Sequence, residues 1–170
     1  MANEKEMFVQ VDSNNNVIGP IEKKTAHDGH ILHRTASILV FNEQKQLLMQ
    51  LRAEDKDLYP GLYTLSATGH ADWLETGPED TDDAALREYF EELGKVPVNP
   101  LRHQFTSELD VPGHHTMTAV YFTEDEEPFH PNLKEVQEVE FMNLDKVSSI
   151  IDKITPPSKM ILERLGLISS

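Results

Sequence analysis

The chain has 170 residues, of which 38% are hydrophobic, so it is long enough for one domain with a real core and short for two. The 30 acidic residues outnumber the 15 basic residues, and the net charge is -15. This charge argues against binding to a nucleic-acid polymer or to an anionic membrane, because phosphate groups would be repelled on average. Cysteine is absent, which excludes a disulfide framework, a zinc-thiolate site and a thiol nucleophile.

The N-terminal residues 1–6 carry no basic start followed by an apolar segment, so they do not look like a secretion signal. No apolar stretch approaches the roughly 18 residues that a transmembrane helix needs. We therefore expect a cytoplasmic protein, monomeric or homodimeric, with a single domain over residues 1–170 and a disordered tail over residues 1–6.

Short β-rich runs separated by turn residues predict a sheet. Asp12 to Asn16 tolerate turn geometry, and the runs on either side predict a hairpin. Thr35 to Phe41 are largely apolar on both faces, which is typical of a central strand. The predicted strands are Met7–Val11, Val17–Gly19, Thr35–Phe41, Gln46–Arg52, Arg102–Leu109, Thr116–Thr123 and Val139–Asn143.

Three helices are predicted, at Thr81–Leu93, Leu144–Lys153 and Pro157–Leu165. Thr81 and the acids after it open the first helix, and Gly94 ends it as a left-handed cap. Asn143 and Thr155 are plausible caps for the other two. Strands on both sides of one long helix, with further helices at the end, predict an α/β fold with a mixed β-sheet between helices.

The first helix places Glu88, Glu91 and Glu92 on one face, since they are spaced at i, i+3 and i+4. Three like charges this close repel each other unless a hard cation binds to them. The alternative is a solvated surface face, which is what most charge runs are. We expect the glutamate face to be open and the opposite face to be the core contact; that opposite face comprises Leu86, Tyr89, Phe90 and Leu93.

The run from Glu79 to Gly94 resembles the Nudix box, the signature of the Nudix hydrolase superfamily. Glu79 is followed after seven residues by Arg87-Glu88-Tyr89-x-Glu91-Glu92-x-Gly94, which matches the glutamate half of the motif. Gly69-His70 resembles the family's glycine turn, displaced by about four residues inserted before Gly77, and Lys95 stands at a hydrophobic position of the motif. The resemblance implies a Nudix-like α/β/α sandwich.

The resemblance also implies hydrolysis of a P–O–P linkage in a small diphosphate compound. Glu88, Glu91 and Glu92 would hold one to three Mg²⁺ or Mn²⁺ ions, with Glu88 either a ligand or the base that acts on water. Glu79 and Arg87 would be structural. A further glutamate often completes such a site from a loop before the last strand, and Glu135 is the first candidate and Glu138 the second.

Upstream, the chain resembles the isopentenyl-diphosphate isomerase branch of the superfamily, from Val11-Asp12 through Arg52-Ala53-Glu54-Asp55-Lys56 to Gly69-His70. This implies that Arg52 and Lys56 bind the diphosphate, although a solubilising strand end is the alternative. It also implies a second divalent-metal site, for which the alternative is ordinary surface or packed histidines. The histidines of that site are His27, His33 and His70.

Two departures from the isomerase pattern bear on the chemistry. The proton-transferring cysteine of the isomerases corresponds to Thr68, whose hydroxyl is a far weaker acid than a thiol. The isomerases also have a Glu-x-Glu pair in a later strand, where this chain has Gly113-His114-His115-Thr116. The sequence therefore favours a metal-dependent hydrolase, with an isoprenoid-diphosphate isomerase second and a non-catalytic diphosphate-binding protein third.

Overall fold

The computed structural model describes residues 6–169. Of the expected disordered tail over residues 1–6, residues 1–5 lie outside this range. Glu6 is described, and its carbonyl oxygen accepts a hydrogen bond of 2.9 Å from the backbone N–H of Lys23. Its carboxylate also lies 3.1 Å from Lys23 Nζ. Glu6 is thus tied to the start of the first helix.

The described residues form eleven strands and four α-helices. The strands are β1 (Met7–Val11), β2 (Val17–Glu22), β3 (His33–Phe41), β4 (Leu47–Arg52), β5 (Tyr63–Thr64), β6 (Ala67–His70), β7 (Trp73–Leu74), β8 (Gly77–Pro78), β9 (Arg102–Val111), β10 (His114–Glu124) and β11 (Val136–Met142). The helices are α1 (Lys23–Asp28), α2 (Thr81–Leu93), α3 (Leu144–Ser149) and α4 (Pro156–Arg164), with a 3₁₀ turn at Ile151–Lys153.

The main sheet is mixed, as predicted. Strands β11, β4, β3, β1 and β2 lie side by side in that order, and β10 adds to β3 in parallel while pairing with β9 in antiparallel fashion. The short strand β6 pairs with β3, and β5 pairs with β4. The prediction of a central strand at Thr35–Phe41 is confirmed, because β3 contacts β1, β4, β6 and β10. The four residues inserted before Gly77 lie in the β7–β8 hairpin.

The two faces of β3 are covered by different helices. Ala36, Ile38 and Val40 pack against Tyr89 and Leu93 of α2. On the opposite face, Leu39 packs in one core cluster with Ile161 and Leu162 of α4. Side chains alternate between the faces of a strand, so the residues before Leu39 on its face are Ser37, Thr35 and His33.

The predicted core face of α2 is confirmed at Tyr89 and Leu93, which are fully buried, and wrong at the other two residues. Leu86 and Phe90 are 44% and 56% exposed, whereas Glu92 is only 6% exposed. The buried residues of the helix are Ala84, Ala85, Tyr89, Glu92 and Leu93, and Glu88 is half-buried beside them. The helix packs on the sheet through the small Ala85 and the large Tyr89. Because the helix lies close to the sheet, Glu88 and Glu92 lie close to it as well.

The ends of α2 also differ in part from expectation. The N-cap is Asp80, whose carboxylate accepts a hydrogen bond of 2.8 Å from Asp82 N, so Thr81 is the first helical residue. Gly94 is left-handed with a φ of 71°, as predicted. Six elements were not predicted: α1, the short strands β5, β6, β7 and β8, and the 3₁₀ turn that interrupts the predicted helix Leu144–Lys153. The sequence of β6, Ala-Thr-Gly-His, has too few β-forming residues to indicate a strand.

Replacing Gly94 by alanine should destabilise the protein for two reasons. An L-residue is disfavoured at this φ, and a Cβ atom would lie 2.0 Å from the His130 carbonyl oxygen. Gly166→Ala is a matched control, because Gly166 has the same φ of 71° and nothing lies within 4 Å of an added Cβ atom. Chemical denaturation should show a loss for Gly94→Ala that exceeds the loss for Gly166→Ala by about 1–3 kcal/mol. Equal losses would contradict the close approach of His130.

Candidate functional site

A cavity of about 480 Å³ lies where the end of α2, the strand β6 and the β4–β5 connection meet. It collects most of the predicted site residues, including Glu88, Glu91 and Glu92 from α2, Glu135 from the loop before β11, and Arg52 with Lys56 after β4. His27 and His70 also line it. Glu138, the second candidate for the extra glutamate, is exposed on β11 and is not among the lining residues.

Arg87 holds the loop before α2 against the carboxylates. Its Nε and Nη2 donate to the two carboxylate oxygens of Glu79 over 3.0 and 2.8 Å. Nη2 also donates to the His70 carbonyl oxygen (2.8 Å), and Nη1 donates to Glu88 (3.0 Å) and Glu91 (3.2 Å). Glu79 is 7% exposed and also accepts from the backbone N–H of Asp72 over 3.0 Å. One guanidinium thus joins β6, the loop and the helix.

The Glu88 carboxylate lies directly over Gly69. A Cβ atom at residue 69 would fall 2.1 Å from the Glu88 carboxylate carbon, so only glycine leaves room for that carboxylate. The neighbouring Glu92 is held by a hydrogen bond of 2.7 Å that Thr68 N donates to its Oε1. Strand β6 therefore holds Glu92 with a backbone N–H and leaves space for Glu88 at Gly69, which accounts for the glycine of the Gly69-His70 turn.

The pKa of Glu88 is raised to about 9, mainly by burial and also by the nearby Glu92, against the lowering effect of Arg87. Burial also raises the pKa of Glu92 to about 7, against the hydrogen bond from Thr68 N. Both carboxylates are costly to ionise in this environment without a cation. A hard divalent ion supplies that charge and prefers carboxylate oxygens, so this group of glutamates fits Mg²⁺ or Mn²⁺.

The two basic residues predicted to bind diphosphate are engaged with neighbouring groups. Lys56 Nζ lies 2.5 Å from Glu135 Oε2. The Nε and Nη2 of Arg52 donate to the Leu58 carbonyl oxygen over 3.1 and 2.8 Å. Both cations lie at the wall of the cavity that holds the carboxylates, and Arg52 is half-buried there. Because both cations already line the cavity, they can balance the charge of an anionic ligand that binds there.

The structure brings His27, His33 and His70 together, although they come from α1, β3 and β6. One nitrogen of each ring lies within 4.8 Å of the others. The Nε2 atoms of all three are buried and have no hydrogen-bond partner. Nδ1 of His33 lies 2.7 Å from the Ile31 carbonyl oxygen, so Nδ1 carries the proton and Nε2 presents its lone pair.

The surroundings keep these imidazoles neutral. Burial lowers the pKa of His33 to about 4 and lowers the pKa of His27 and His70 as well. The Phe8 ring stacks on His70 with centroids 4.0 Å apart and on His33 with centroids 5.3 Å apart, which limits ring rotation. Neutral, oriented and unpartnered nitrogens are what a transition metal requires, so the cluster fits such an ion.

The positions that depart from the isomerase pattern also line the cavity. Thr68 Oγ1 lies 3.1 Å from Ser37 Oγ, so the group in the cysteine's place is a hydroxyl bonded to another hydroxyl. His114 faces the cavity at the start of β10, and burial lowers its pKa to about 3. Thr116, two residues later, is fully buried. None of these groups is a carboxylic acid or a thiol.

Sequence reasoning missed several cavity residues. Among them are Thr35, Ser37 and Thr118, whose alternate spacing on β3 and β10 was visible in the sequence as a period of two. Tyr59, one of the aromatic residues near the site, lines the cavity and donates its hydroxyl to the Pro112 carbonyl oxygen. This bond links the β4–β5 connection to the turn between β9 and β10 at the cavity rim.

Residues 31–165 match the NUDIX domain family. An isopentenyl-diphosphate Delta-isomerase of Serratia proteamaculans is 39% identical over 108 residues, which cover 64% of this chain and 58% of that protein. An isopentenyl-diphosphate Delta-isomerase of Pectobacterium atrosepticum is 32% identical over 146 residues, which cover 82% of this chain and 78% of that protein. The Serratia match thus spans less than two thirds of that relative's length.

Solved structures share the fold. The crystal structure of DR0079 from Deinococcus radiodurans has a TM-score of 0.77 at 19% identity and covers 94% of this chain and 98% of that one. The NUDIX domain of Shewanella oneidensis NrtR, in complex with ADP ribose, has a TM-score of 0.62 at 19% identity, with 79% and 84% covered. These identities indicate the fold alone. Because the domain match extends over most of the sequence, the chain belongs to the Nudix superfamily, on the branch that resembles the isopentenyl-diphosphate isomerases.

Proposed function

We propose that this protein is a metal-dependent hydrolase that cleaves the P–O–P linkage of a small diphosphate compound. The observation that carries the proposal is the convergence of two buried glutamates, Glu88 and Glu92, with Glu135 and two cations on one cavity. The fold is that of Nudix proteins, and the Shewanella relative binds ADP ribose, a compound with a diphosphate linkage. Residues 6–169 contain no helix long and apolar enough to cross a membrane, and we propose a cytoplasmic location.

Bound Mg²⁺ or Mn²⁺ supplies neutralisation of phosphate oxygens and a lower pKa for a water molecule. Glu88, Glu91, Glu92 and Glu135 are the residues that would hold such ions. Thr68 N keeps the Glu92 carboxylate aimed at the cavity, and Arg87 does the same for Glu88 and Glu91. Glu88 serves as a ligand or as the base that takes a proton from water, and both roles require its ionised form.

Arg52 and Lys56 bind the diphosphate oxygens in this proposal. Lys56 is paired with Glu135 over 2.5 Å, so engagement of Glu135 by a cation frees Lys56 for phosphate. Arg52 presents the remaining N–H groups of its guanidinium beside the same carboxylates. Metal and substrate would then bind cooperatively. A metal bound to Glu135 would release Lys56 for phosphate, and a phosphate bound to Lys56 would release Glu135 for the metal.

An isopentenyl-diphosphate isomerase is the second candidate, favoured by the curated relatives and by the assembled histidines. It requires an acid that moves a proton to carbon. Thr68 stands at that place, and its hydroxyl is bonded to the Ser37 hydroxyl rather than to an acid or base. We therefore place hydrolysis first, with the three histidines as a second metal site of the same cavity.

The first prediction removes a metal ligand with little change of shape. Glu92→Gln and Glu91→Gln should each lower kcat/KM for diphosphate cleavage by at least ~10²-fold, because a charged ligand is lost. Glutamine can still accept the hydrogen bond from Thr68 N, so the fold should persist in circular dichroism. Glu138→Gln is the control, since Glu138 is an exposed glutamate outside the cavity. Full turnover in both test variants would contradict the assignment.

The second prediction concerns stability and pH without metal. The folded pKa values of Glu92 and Glu88, about 7 and about 9, lie above the unfolded value of 4.5. The folded state therefore binds more protons between these values, and in chelator the free energy of unfolding should fall as pH rises from about 4.5 to 9. Glu92→Gln should weaken this fall at its lower end, from about pH 4.5 to 7.

Added Mg²⁺ should oppose that loss, because it binds the ionised carboxylates of the folded state. A concentration equal to 100 times the dissociation constant at pH 7 should raise the melting temperature by about 5–10 °C at that pH, and the same concentration should raise it by more at pH 8 than at pH 6. Differential scanning calorimetry in chelator and in excess Mg²⁺ measures both effects. Superimposable melting curves at both pH values would show that the glutamates bind no ion.

The third prediction separates hydrolase from isomerase. An isomerase must exchange a carbon-bound proton, so isopentenyl diphosphate incubated with it in heavy water would acquire deuterium on carbon. We expect no deuterium on carbon for the unaltered protein or for Thr68→Cys, because the Glu-x-Glu partner is missing near His114 and His115. Mass spectrometry of the recovered compound gives the answer. Incorporation by the unaltered protein would promote the isomerase.

A further inference from the structure

The β4–β5 connection, residues 53–62, separates one side of the cavity from solvent. It contains no helix or strand. The backbone N–H of Arg52 donates to the Leu62 carbonyl oxygen over 2.9 Å, so the two ends of the connection are held together. Between these ends, a run of consecutive residues lines the cavity, and some of them are also exposed to solvent; the run is Asp55, Lys56, Asp57, Leu58 and Tyr59. Displacement of this segment would therefore open the cavity on this side.

The middle of the connection is fastened to the turn between β9 and β10. The Tyr59 hydroxyl donates a hydrogen bond to the Pro112 carbonyl oxygen. The neighbouring Leu58 lies against the same turn, because a Cβ atom added at Gly113 would fall 3.2 Å from Leu58 Cδ2. The turn is held in turn by β9 and β10, which pair along their length. A segment without regular structure is thus attached to a long hairpin.

Tyr59 adopts an unfavourable backbone conformation. Its φ is 51°, in the left-handed region that is disfavoured for a bulky L-residue. The next residue is Pro60, and a residue before proline prefers an extended backbone. A conformation of this kind persists only where surrounding contacts maintain it. The hydroxyl bond to Pro112 and the packing of Leu58 are such contacts, so loss of the bond would favour release of the segment.

The same connection orients a cation of the cavity. The Nε and Nη2 of Arg52 donate to the Leu58 carbonyl oxygen over 3.1 and 2.8 Å, so the position of Leu58 sets the orientation of the guanidinium. Burial raises the pKa of Tyr59, against the lowering effect of Arg52. The hydroxyl therefore stays protonated and can donate to Pro112. Tyr59 acts on Arg52 through the backbone of Leu58.

We propose that residues 53–62 form a lid on the cavity, with the Tyr59 hydroxyl as the latch that holds the lid closed against the β9–β10 turn. The closed lid fixes Leu58 and, with it, the Arg52 guanidinium. A ligand enters and leaves when the latch opens, and relief of the left-handed backbone at Tyr59 offsets part of the cost of opening. Tyr59 is thus a positioning residue. The inference goes beyond the proposed function, because a lid controls the entry of a diphosphate whether or not the compound is cleaved.

The first experiment measures opening of the lid by limited proteolysis. Trypsin cleaves after lysine, and Lys56 lies in the lid, paired with Glu135 over 2.5 Å. The cleavage rate follows the population of the open state when opening is fast relative to cleavage. Tyr59→Phe removes the latch, so cleavage after Lys56 should become about 3–10-fold faster. Cleavage after Lys159 in α4 should be unchanged, because the fold persists.

Tyr63→Phe is the matched control for this experiment. Tyr63 is half-buried at the end of the same connection, and its hydroxyl makes no hydrogen bond within residues 6–169. Its replacement should leave cleavage after Lys56 at the rate of the unaltered protein. Leu58→Ala is a second test variant, because it removes the other contact with the turn at Gly113 and should also speed cleavage after Lys56.

The second experiment measures passage of a ligand past the lid. Methylenediphosphonate, which has no P–O–P linkage to cleave, is added with Mg²⁺, and ³¹P exchange NMR gives its association and dissociation rates. In Tyr59→Phe both rates should rise by about 3–10-fold, while the dissociation constant changes by less than ~2-fold, because the latch is closed with and without ligand. A merely structural role for Tyr59 would raise the dissociation constant and leave the association rate unchanged.

Two results would overturn the lid. Equal rates of cleavage after Lys56 in Tyr59→Phe and Tyr63→Phe would show that the hydroxyl holds nothing closed. Faster cleavage with an unchanged association rate would show that the segment moves without controlling entry. If the analogue does not bind, the cleavage rates decide. Absence of diphosphate cleavage with every metal would remove the hydrolase and keep the lid, because neither measurement depends on turnover.

Discussion

The arrangement of the site depends on the contact of one guanidinium with several acceptors. Arg87 donates to both oxygens of Glu79, to the His70 carbonyl and to two glutamates of its own helix, and it lies 3.3 Å from Asp72. Glu79 is nearly fully buried, so removal of Arg87 would leave an uncompensated buried carboxylate, a far larger loss than that of a surface ion pair. The loop, β6 and α2 are consequently held together on this side of the cavity.

This fixed position accounts for the unusual electrostatics of α2. The helix lies close to β6 because Gly69 has no side chain and Ala85 has a small one, and this proximity buries Glu88 and Glu92. Arg87 cannot neutralise all of the carboxylates around it, and burial raises the pKa of Glu88 and Glu92. In the proposed function, these incompletely neutralised carboxylates would favour the binding of a divalent cation at this place.

The sequence predicted those parts that depend on local patterns. The bounds of α2, its left-handed cap at Gly94 and the β1–β2 hairpin are set by neighbouring residues, and the structure has them as expected. The prediction of the buried face of α2 was wrong at Leu86 and Phe90, because these large apolar residues outweigh Ala85 in any hydrophobicity pattern. Packing, in contrast, is decided by how closely the helix can approach the sheet. Strand β6 was missed because its pairing with β3 is non-local and its sequence is weakly β-forming.

Local sequence patterns could not predict which distant side chains lie close together in the fold. His27, His33 and His70 come from three separate elements, and only the resemblance to a family suggested that they meet; the unpartnered Nε2 atoms and the protonated Nδ1 of His33 required coordinates. The same holds for the hydroxyls of Thr35 and Thr118, because their contact depends on the parallel register of β3 and β10.

The cavity is lined both by carboxylates of α2 and by the imidazoles of His27 and His70, and Thr68 lies on β6, the strand that also carries His70. The reaction that such a cavity can support depends on the side chain at position 68. A thiol there can move a proton to carbon, whereas a hydroxyl bonded to Ser37 only adds to a polar surface. The fold and the candidate ion-binding residues are compatible with both reactions, and the side chain at position 68 is the feature that supports the proposal of cleavage at phosphorus.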